Sequence, residues 1–205
     1  MAGSSRAGKS WVPVFKTRED FEMATTKAAT VTASDAIDLL VQDHDKVENM
    51  FTRIEQGVSK ETAQELFTTI YHELTLHAIV EEQIFYPAVA QKPSFKDLLK
   101  DAFSEHAEVK QQLGDISYLE PASAEWTKMM GKVWKELQHH INDEEEKLFP
   151  KVREEFTEKE LKALAGELEE GKHSKLDSEL LSMPLGFAKE AKEKKTSTHT
   201  RAKAS

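Results

Sequence analysis

The chain has 205 residues, 39% of them hydrophobic and 32% charged, which is enough for one core of ordinary size plus tails and too little for two comfortable domains. Cysteine is absent, so disulfide frameworks, thiolate zinc sites, iron-sulfur clusters and thiol catalysis are excluded together, and any metal must use nitrogen and oxygen ligands. A formal net charge of −9 argues against a general nucleic-acid binder, and no apolar run reaches membrane-spanning length, so the expectation is a soluble cytoplasmic protein with neither partner.

Residues 1–33, rich in Ala, Ser, Thr and Lys without sustained periodicity, read as a mobile arm. Helical spacing begins at a cap, Ser34 or Asp35, and carries Ile37, Leu40, Val41, His44, Val47, Phe51 and Ile54 to a stop at Gly57. The second helix starts near Ser59 and lays Leu66, Ile70, Glu73, His77, Glu81 and Ile84 along one face until Pro87 ends or kinks it. The third opens with Ser94 and Asp97 in capping-box spacing and shows Phe95, Leu99, Ala102, His106, Val109, Leu113 and Ile116. The fourth starts near Ser123 and gives Trp126, Met130, Val133, Leu137, His140, Glu144 and Leu148 before Pro150. A shorter fifth helix, capped by Thr157 with Glu160, has Leu161, Leu164 and Leu168 and stops at Gly171. The stretch 173–205 is a flexible, mostly basic tail with little to bury. No convincing strand occurs, so residues 34–172 are expected to be all α, an antiparallel up-down four-helix bundle with a short fifth helix, between disordered terminal arms.

Set above one another, "HELTLHAIVEEQIFYP" (72–87) and "KELQHHINDEEEKLFP" (135–150) match at an offset of 63: Glu73, His77, Glu81, Glu82 and Pro87 fall on Glu136, His140, Glu144, Glu145 and Pro150. Helices one and three match at an offset of 62, placing His44 over His106 and Val47 over Val109. Each half therefore supplies one His and one His-x3-Glu, and positions i and i+4 leave the same helix face, about 40° and ~6 Å apart. Two such hairpins packed face to face bring four imidazoles and two carboxylates to one layer of the core. No Arg or Lys lies on the four inward stripes at that level, and a buried unpaired carboxylate costs several kcal/mol. Two divalent ions would offset two carboxylates and a bridging hydroxide almost completely, and these donors suit iron, manganese, zinc or copper.

At these residues the chain resembles the hemerythrin-like (HHE cation-binding) family, whose members hold a non-haem di-iron centre in a four-helix bundle. The likeness covers roughly residues 35 to 170 and rests on His44, His77-x3-Glu81, His106 and His140-x3-Glu144, with "EEQIFYP" and "EEKLFP" endings. The resemblance implies two iron ions bridged by Glu81 and Glu144, one held by His44 and His77, the other by His106 and His140. It implies a position open to dioxygen, nitric oxide or peroxide, for sensing, storage or protection. Redox turnover of peroxide or nitric oxide, or an iron-sensing module, are the alternatives. The oxygen-carrying members add a histidine where this chain has Ala102, and commonly an aspartate after x4 where it has Glu144 after x3, so a more open and symmetric centre is expected. Glu48, Glu73 and Glu136, each one turn from a proposed ligand, are candidates to complete the sphere or orient an imidazole.

Three look-alikes carry less. "GSSRAGKS" (3–10) spells the phosphate-loop pattern but is followed by "WVPV" rather than a helix. "HELTLH" has one residue too many for a zinc-protease motif, which turns His72 away from His77 and onto the surface. Glu136 and His139 form a single Glu-x-x-His where ferritin-like bundles need two, and Phe51, Phe67, Phe103, Trp126 and Trp134 read as core.

Overall fold

The computed structural model describes residues 35–182, with side chains over 35–174; the arm over 1–33, the phosphate-loop look-alike and the tail beyond 182 lie outside the described residues. Helix α1 (Ala36–Glu55) opens at Asp35, whose carboxylate accepts the amides of Ile37 and Asp38 at 2.9 and 3.1 Å. It stops where Gly57 takes φ of 82°, a left-handed conformation that glycine adopts without a Cβ clash. Helix α2 (Lys60–Val80) is capped by Ser59, and α5 (Ala124–Asp143) by Ser123, each hydroxyl accepting the amide three residues on.

Neither α2 nor α5 ends at its proline. Each passes through a π-helical turn, Glu81–Phe85 and Glu144–Leu148, into a short continuation, α3 (Tyr86–Val89) and α6 (Phe149–Glu155). Pro87 and Pro150 have no amide hydrogen to donate and their rings crowd the preceding turn; the widened turn absorbs both, with the Tyr86 and Phe149 amides bonding to the carbonyls of Glu81 and Glu144. The two glutamates of the motif thus open the two π turns.

Helix α4 (Lys96–Ile116) follows a 3-10 turn at Pro93–Phe95, and Ser94 does not cap it. The Ser94 hydroxyl donates instead to Glu155, at 2.8 and 3.0 Å from its two carboxylate oxygens, tying the start of α4 to the end of α6. Helix α7 (Glu158–Ser182) does open with the expected box: the Thr157 amide donates to Glu160 at 2.7 Å and the Glu160 amide to Thr157 at 3.3 Å. It runs through Gly171 to Ser182, so it is the longest helix among those described rather than the shortest, and the division at 172 falls inside it. A glycine ends a helix when it turns left-handed. Gly171 does not; it is a point of close approach, where an added Cβ would lie 2.5 Å from Ile84 Cδ1 and 3.4 Å from Val80 Cγ1.

Among the described residues there is no strand, and the fold is an all-α bundle of α1, α2, α4 and α5 with α7 laid against α1 and α2. Its apolar interior has two parts. One joins Leu40, Val80, Phe85, Tyr86, Phe149 and Leu168, while the other joins Phe51, Phe67, Leu113, Trp126, Met130 and Trp134. Between them lies a layer of buried polar side chains. Phe103, expected in the core, is 45% exposed and packs edge-on against Tyr86.

Candidate metal centre

The buried layer consists of His44 from α1, His77 from α2, His106 from α4, His140 from α5, and Glu81 and Glu144 from the two π turns, none more than 6% exposed. All four imidazoles point Nε2 inward. His44 Nε2 lies 3.3 Å from His77 Nε2, and His106 Nε2 lies 3.0 Å from His140 Nε2, one pair per hairpin. Each carboxylate touches one imidazole of each pair: Glu81 Oε2 is 3.1 Å from His77 and 3.3 Å from His106, and Glu144 Oε2 is 3.3 Å from His44 and 3.4 Å from His140. Two donor groupings result, His44 with His77, Glu81 and Glu144, and His106 with His140 and Glu81.

Donor atoms at these separations form the edges of a coordination polyhedron around an ion about 2.1 Å from each. Glu81 Oε1 is buried with no hydrogen-bond donor, and Glu144 Oε2 is buried with two imidazole nitrogens at 3.3 and 3.4 Å but no hydrogen bond made to it. A buried carboxylate oxygen without a donor calls for a cation, so the residues present fit a metal pair.

Outside this layer every imidazole hands its Nδ1 to a carboxylate. His44 meets Glu145 at 2.8 Å, His77 meets Asp43 at 3.2 Å, His106 meets Glu82 at 3.0 Å and His140 meets Glu105 at 2.8 Å. Such partners fix the tautomer and leave the inward nitrogen free to ligate. These four acids were missed by sequence reasoning, which looked one turn from each ligand. Glu48 there is exposed, Glu73 pairs with Lys46 at 2.5 Å, and Glu136 lies beside Gln112 and 3.5 Å from Lys132. The signal was present in the repeat: Asp43 and Glu105 each precede a histidine, and Glu82 and Glu145 each follow a glutamate of the motif, at offsets of 62 and 63. Lys110 holds Glu82 at 2.9 Å, and Lys172 of α7 reaches Asp43.

Protonation follows from this arrangement. Burial works against a charged imidazole, yet Glu81 and Asp43 outweigh it and raise His77 to about 10, and Glu81 with Glu82 raises His106 to about 9. His44 is raised against burial by Glu144 and Glu145. Burial favours a neutral Glu81, but His77 and His106 hold it well below the usual carboxylate range. Without metal, protons on His77 and His106 therefore face the Glu81 carboxylate.

Tyr86 is the residue of the layer that sequence reasoning assigned only to a family-like ending. Its buried hydroxyl stands 2.8 Å from Glu144 Oε1 and 3.2 Å from Glu81 Oε2, able to donate to either. Burial, then the two carboxylates, push its ionisation far above the ordinary phenol value, so it keeps its proton. The other histidines stand apart: His139 is exposed beside Asp143, and His72, expected on the surface, is half-buried with Nε2 unpaired and belongs to neither donor grouping.

A helical bundle whose core holds paired His and Glu clusters defines a metal-binding protein of the hemerythrin type. The family described as Hemerythrin HHE cation binding domain matches residues 35–152, and the chain belongs to it. A crystal structure of a hemerythrin HHE cation-binding domain-containing protein from Mycobacterium kansasii shares the fold at a TM-score of 0.62 with 22% identity, over 73% of this chain and 91% of that one. An uncharacterized hemerythrin-like protein of Schizosaccharomyces pombe is 23% identical over 66% of this chain and 68% of its own length. A protein of Nostoc sp. named DNA nickase is 29% identical over 73% of this chain, which spans only 42% of that relative's length.

Proposed function

We propose that the chain holds two non-haem iron ions, His44 and His77 binding one, His106 and His140 the other, with Glu81 and Glu144 bridging. The pair would bind dioxygen or a related small ligand, nitric oxide or peroxide, in sensing, storage or protection. The observation that supports this most is the crossed contact, in which each buried carboxylate touches one imidazole of each pair. Iron in such a nitrogen and oxygen donor set supplies a redox-active centre at which a small ligand can bind. The chain's own part is to aim four Nε2 atoms with outer carboxylates, to exclude bulk water from the layer, and to keep one proton on Tyr86 beside both glutamates.

That hydroxyl favours a second reading, turnover of peroxide or nitric oxide, because a fixed hydrogen-bond donor beside the centre can stabilise the negative charge that a bound ligand gains on reduction. Metal analysis and an absorption spectrum of aerobically purified protein test the first point: about two irons per chain and near-ultraviolet absorption of an oxo-bridged ferric pair are expected. Zinc pairs would be spectroscopically silent. Adding peroxide and following oxygen release separates the readings, since a stoichiometric change without turnover fits the binding role. Relaxation of supercoiled plasmid that depends on Glu81 would replace both with the activity for which the Nostoc relative is named.

A further inference from the structure

The two hairpins repeat the inner residues of the centre but not what covers them. On the first hairpin Leu39, Leu40, Val80 and Ile84 join Leu161, Leu164 and Leu168 of α7 in one apolar cluster, so α7 seals that side. At offsets of 62 and 63 their counterparts on the second hairpin are Asp101, Ala102, Asp143 and Lys147. These four line a partly enclosed cleft of about 180 Å³ whose other walls include His140 and Glu144. Leu40 is fully buried; its twin Ala102 is three carbons smaller and lines the cleft.

We propose that this cleft is the port through which an exogenous small ligand reaches the centre, and that it admits small uncharged molecules of the size of nitric oxide or hydrogen peroxide. This rests on the metal reading above. The size argument is direct, because one water occupies ~30 Å³ of liquid and pockets for drug-sized ligands begin near ~300 Å³. Charge sets the second filter. Asp101, Glu105 and Asp143 face Lys147, which already pairs with Asp143 at 2.7 Å, so an anion meets net repulsion at the mouth. A rival route is an apolar chamber lined by Leu74, Ala78, Val109, Leu113 and Leu137 beside His77, His106 and His140; at about 20 Å³ it has room for one water at most.

The test uses the full chain loaded with ferrous iron, its iron content measured first, and follows nitric oxide association by stopped flow. Ala102→Leu, which gives the second hairpin the bulk of the first, should keep the iron and slow association about tenfold. Asp143→Asn, which removes one negative charge at nearly constant shape, should speed azide association with the ferric protein by a larger factor than it changes nitric oxide association. Should Ala102→Leu fail to load, Ala102→Val puts the same question with less bulk. A fully loaded Ala102→Leu protein with wild-type association overturns the port, as does slowing by Val109→Phe alone. A wild-type chain that takes up no iron overturns the metal reading and the port with it.

Discussion

The two hairpins of this bundle are alike at the centre and unlike around it. Both bring two imidazoles and one carboxylate to the buried layer, and both lay an aromatic ring flat on a histidine: Tyr86 on His106 at 5.7 Å and Phe149 on His44 at 5.9 Å. Tyr86 and Phe149 are twins at an offset of 63, and they differ by one hydroxyl. That hydroxyl carries the proton shared with both glutamates, while α7 covers one side and the other is cleft. The donor set is thus doubled whereas the hydroxyl and the access are single. A symmetric donor layer can hold two cations, and the asymmetry around it decides which side a ligand meets.

The symmetric part is broken most severely from inside. His77→Ala or Glu81→Ala, and equally their twins His140→Ala or Glu144→Ala, should reduce iron from about two per chain to about one or less, read by metal analysis. His72→Ala should change nothing, because its ring lies outside both groupings. Equal losses at positions 72 and 77 would defeat the assignment. Removing an outer acid is milder: Asp43→Asn or Glu105→Gln should weaken metal affinity about 10–100-fold, since the imidazole stays but loses its orienting partner. Similar losses at both would show that the outer layer shares the two-fold pattern; a larger loss at Asp43 would show that Lys172 couples α7 to the centre.

Tyr86→Phe makes the hairpins alike where they now differ. In the metal-free chain it withdraws the donor shared by two buried carboxylates, which should cost about 1–3 kcal/mol and appear as a lower melting temperature. The iron-loaded chain should lose less, because cations then satisfy those oxygens. An identical loss in both states would mean that the hydroxyl serves packing alone.

What could be read in the sequence was whatever repeats on a helical stripe. His44, His77, Glu81, His106, His140 and Glu144 sit at core positions of amphipathic helices, and the halves corroborate one another, so the buried layer and the all-α bundle were both legible. Asp43, Glu82, Glu105 and Glu145 were not, because they lie one residue off the stripe and act on another helix; periodicity sorts residues by face and is blind to such crossings. Gly171 was misread for a related reason. Its spacing is that of a stop, and only the neighbour it touches shows that it is a seat for Ile84.

Titration separates the protonated from the metal-loaded layer. In the metal-free chain His77, raised to about 10, and His106, raised to about 9, contribute stability that is complete below the ordinary imidazole value near ~6.5 and is lost as pH climbs through 9 to 10. Glu81, held low, contributes stability present above the ordinary carboxylate value and lost as pH falls through its folded one. Metal affinity should run the opposite way to the histidines, rising toward pH 9 to 10, because iron must displace their protons. Proton release on ferrous loading at neutral pH, measured by calorimetry in buffers of different ionisation enthalpy, checks the sign; uptake of protons would reverse it.

The smallest expected effect lies where α7 meets the first hairpin. In Gly171→Ala the new Cβ would sit 2.5 Å from Ile84 Cδ1, which is the free end of a half-buried side chain and can rotate away, at a cost of about 1 kcal/mol. Alanine in a helix interior gains about 1 kcal/mol over glycine, so the melting temperature should stay near that of the wild type. Gly171→Leu has no such compensation, since a branched side chain must also displace Val80, 3.4 Å from the Cβ alone. It should lift α7 from Val80 and Ile84 and draw Lys172 away from Asp43, visible as faster hydrogen exchange along α7 with iron content retained. Unchanged exchange in that variant would mean that α7 is held by Leu161, Leu164 and Leu168 alone, and that the seal on the first hairpin does not depend on the close approach at Gly171.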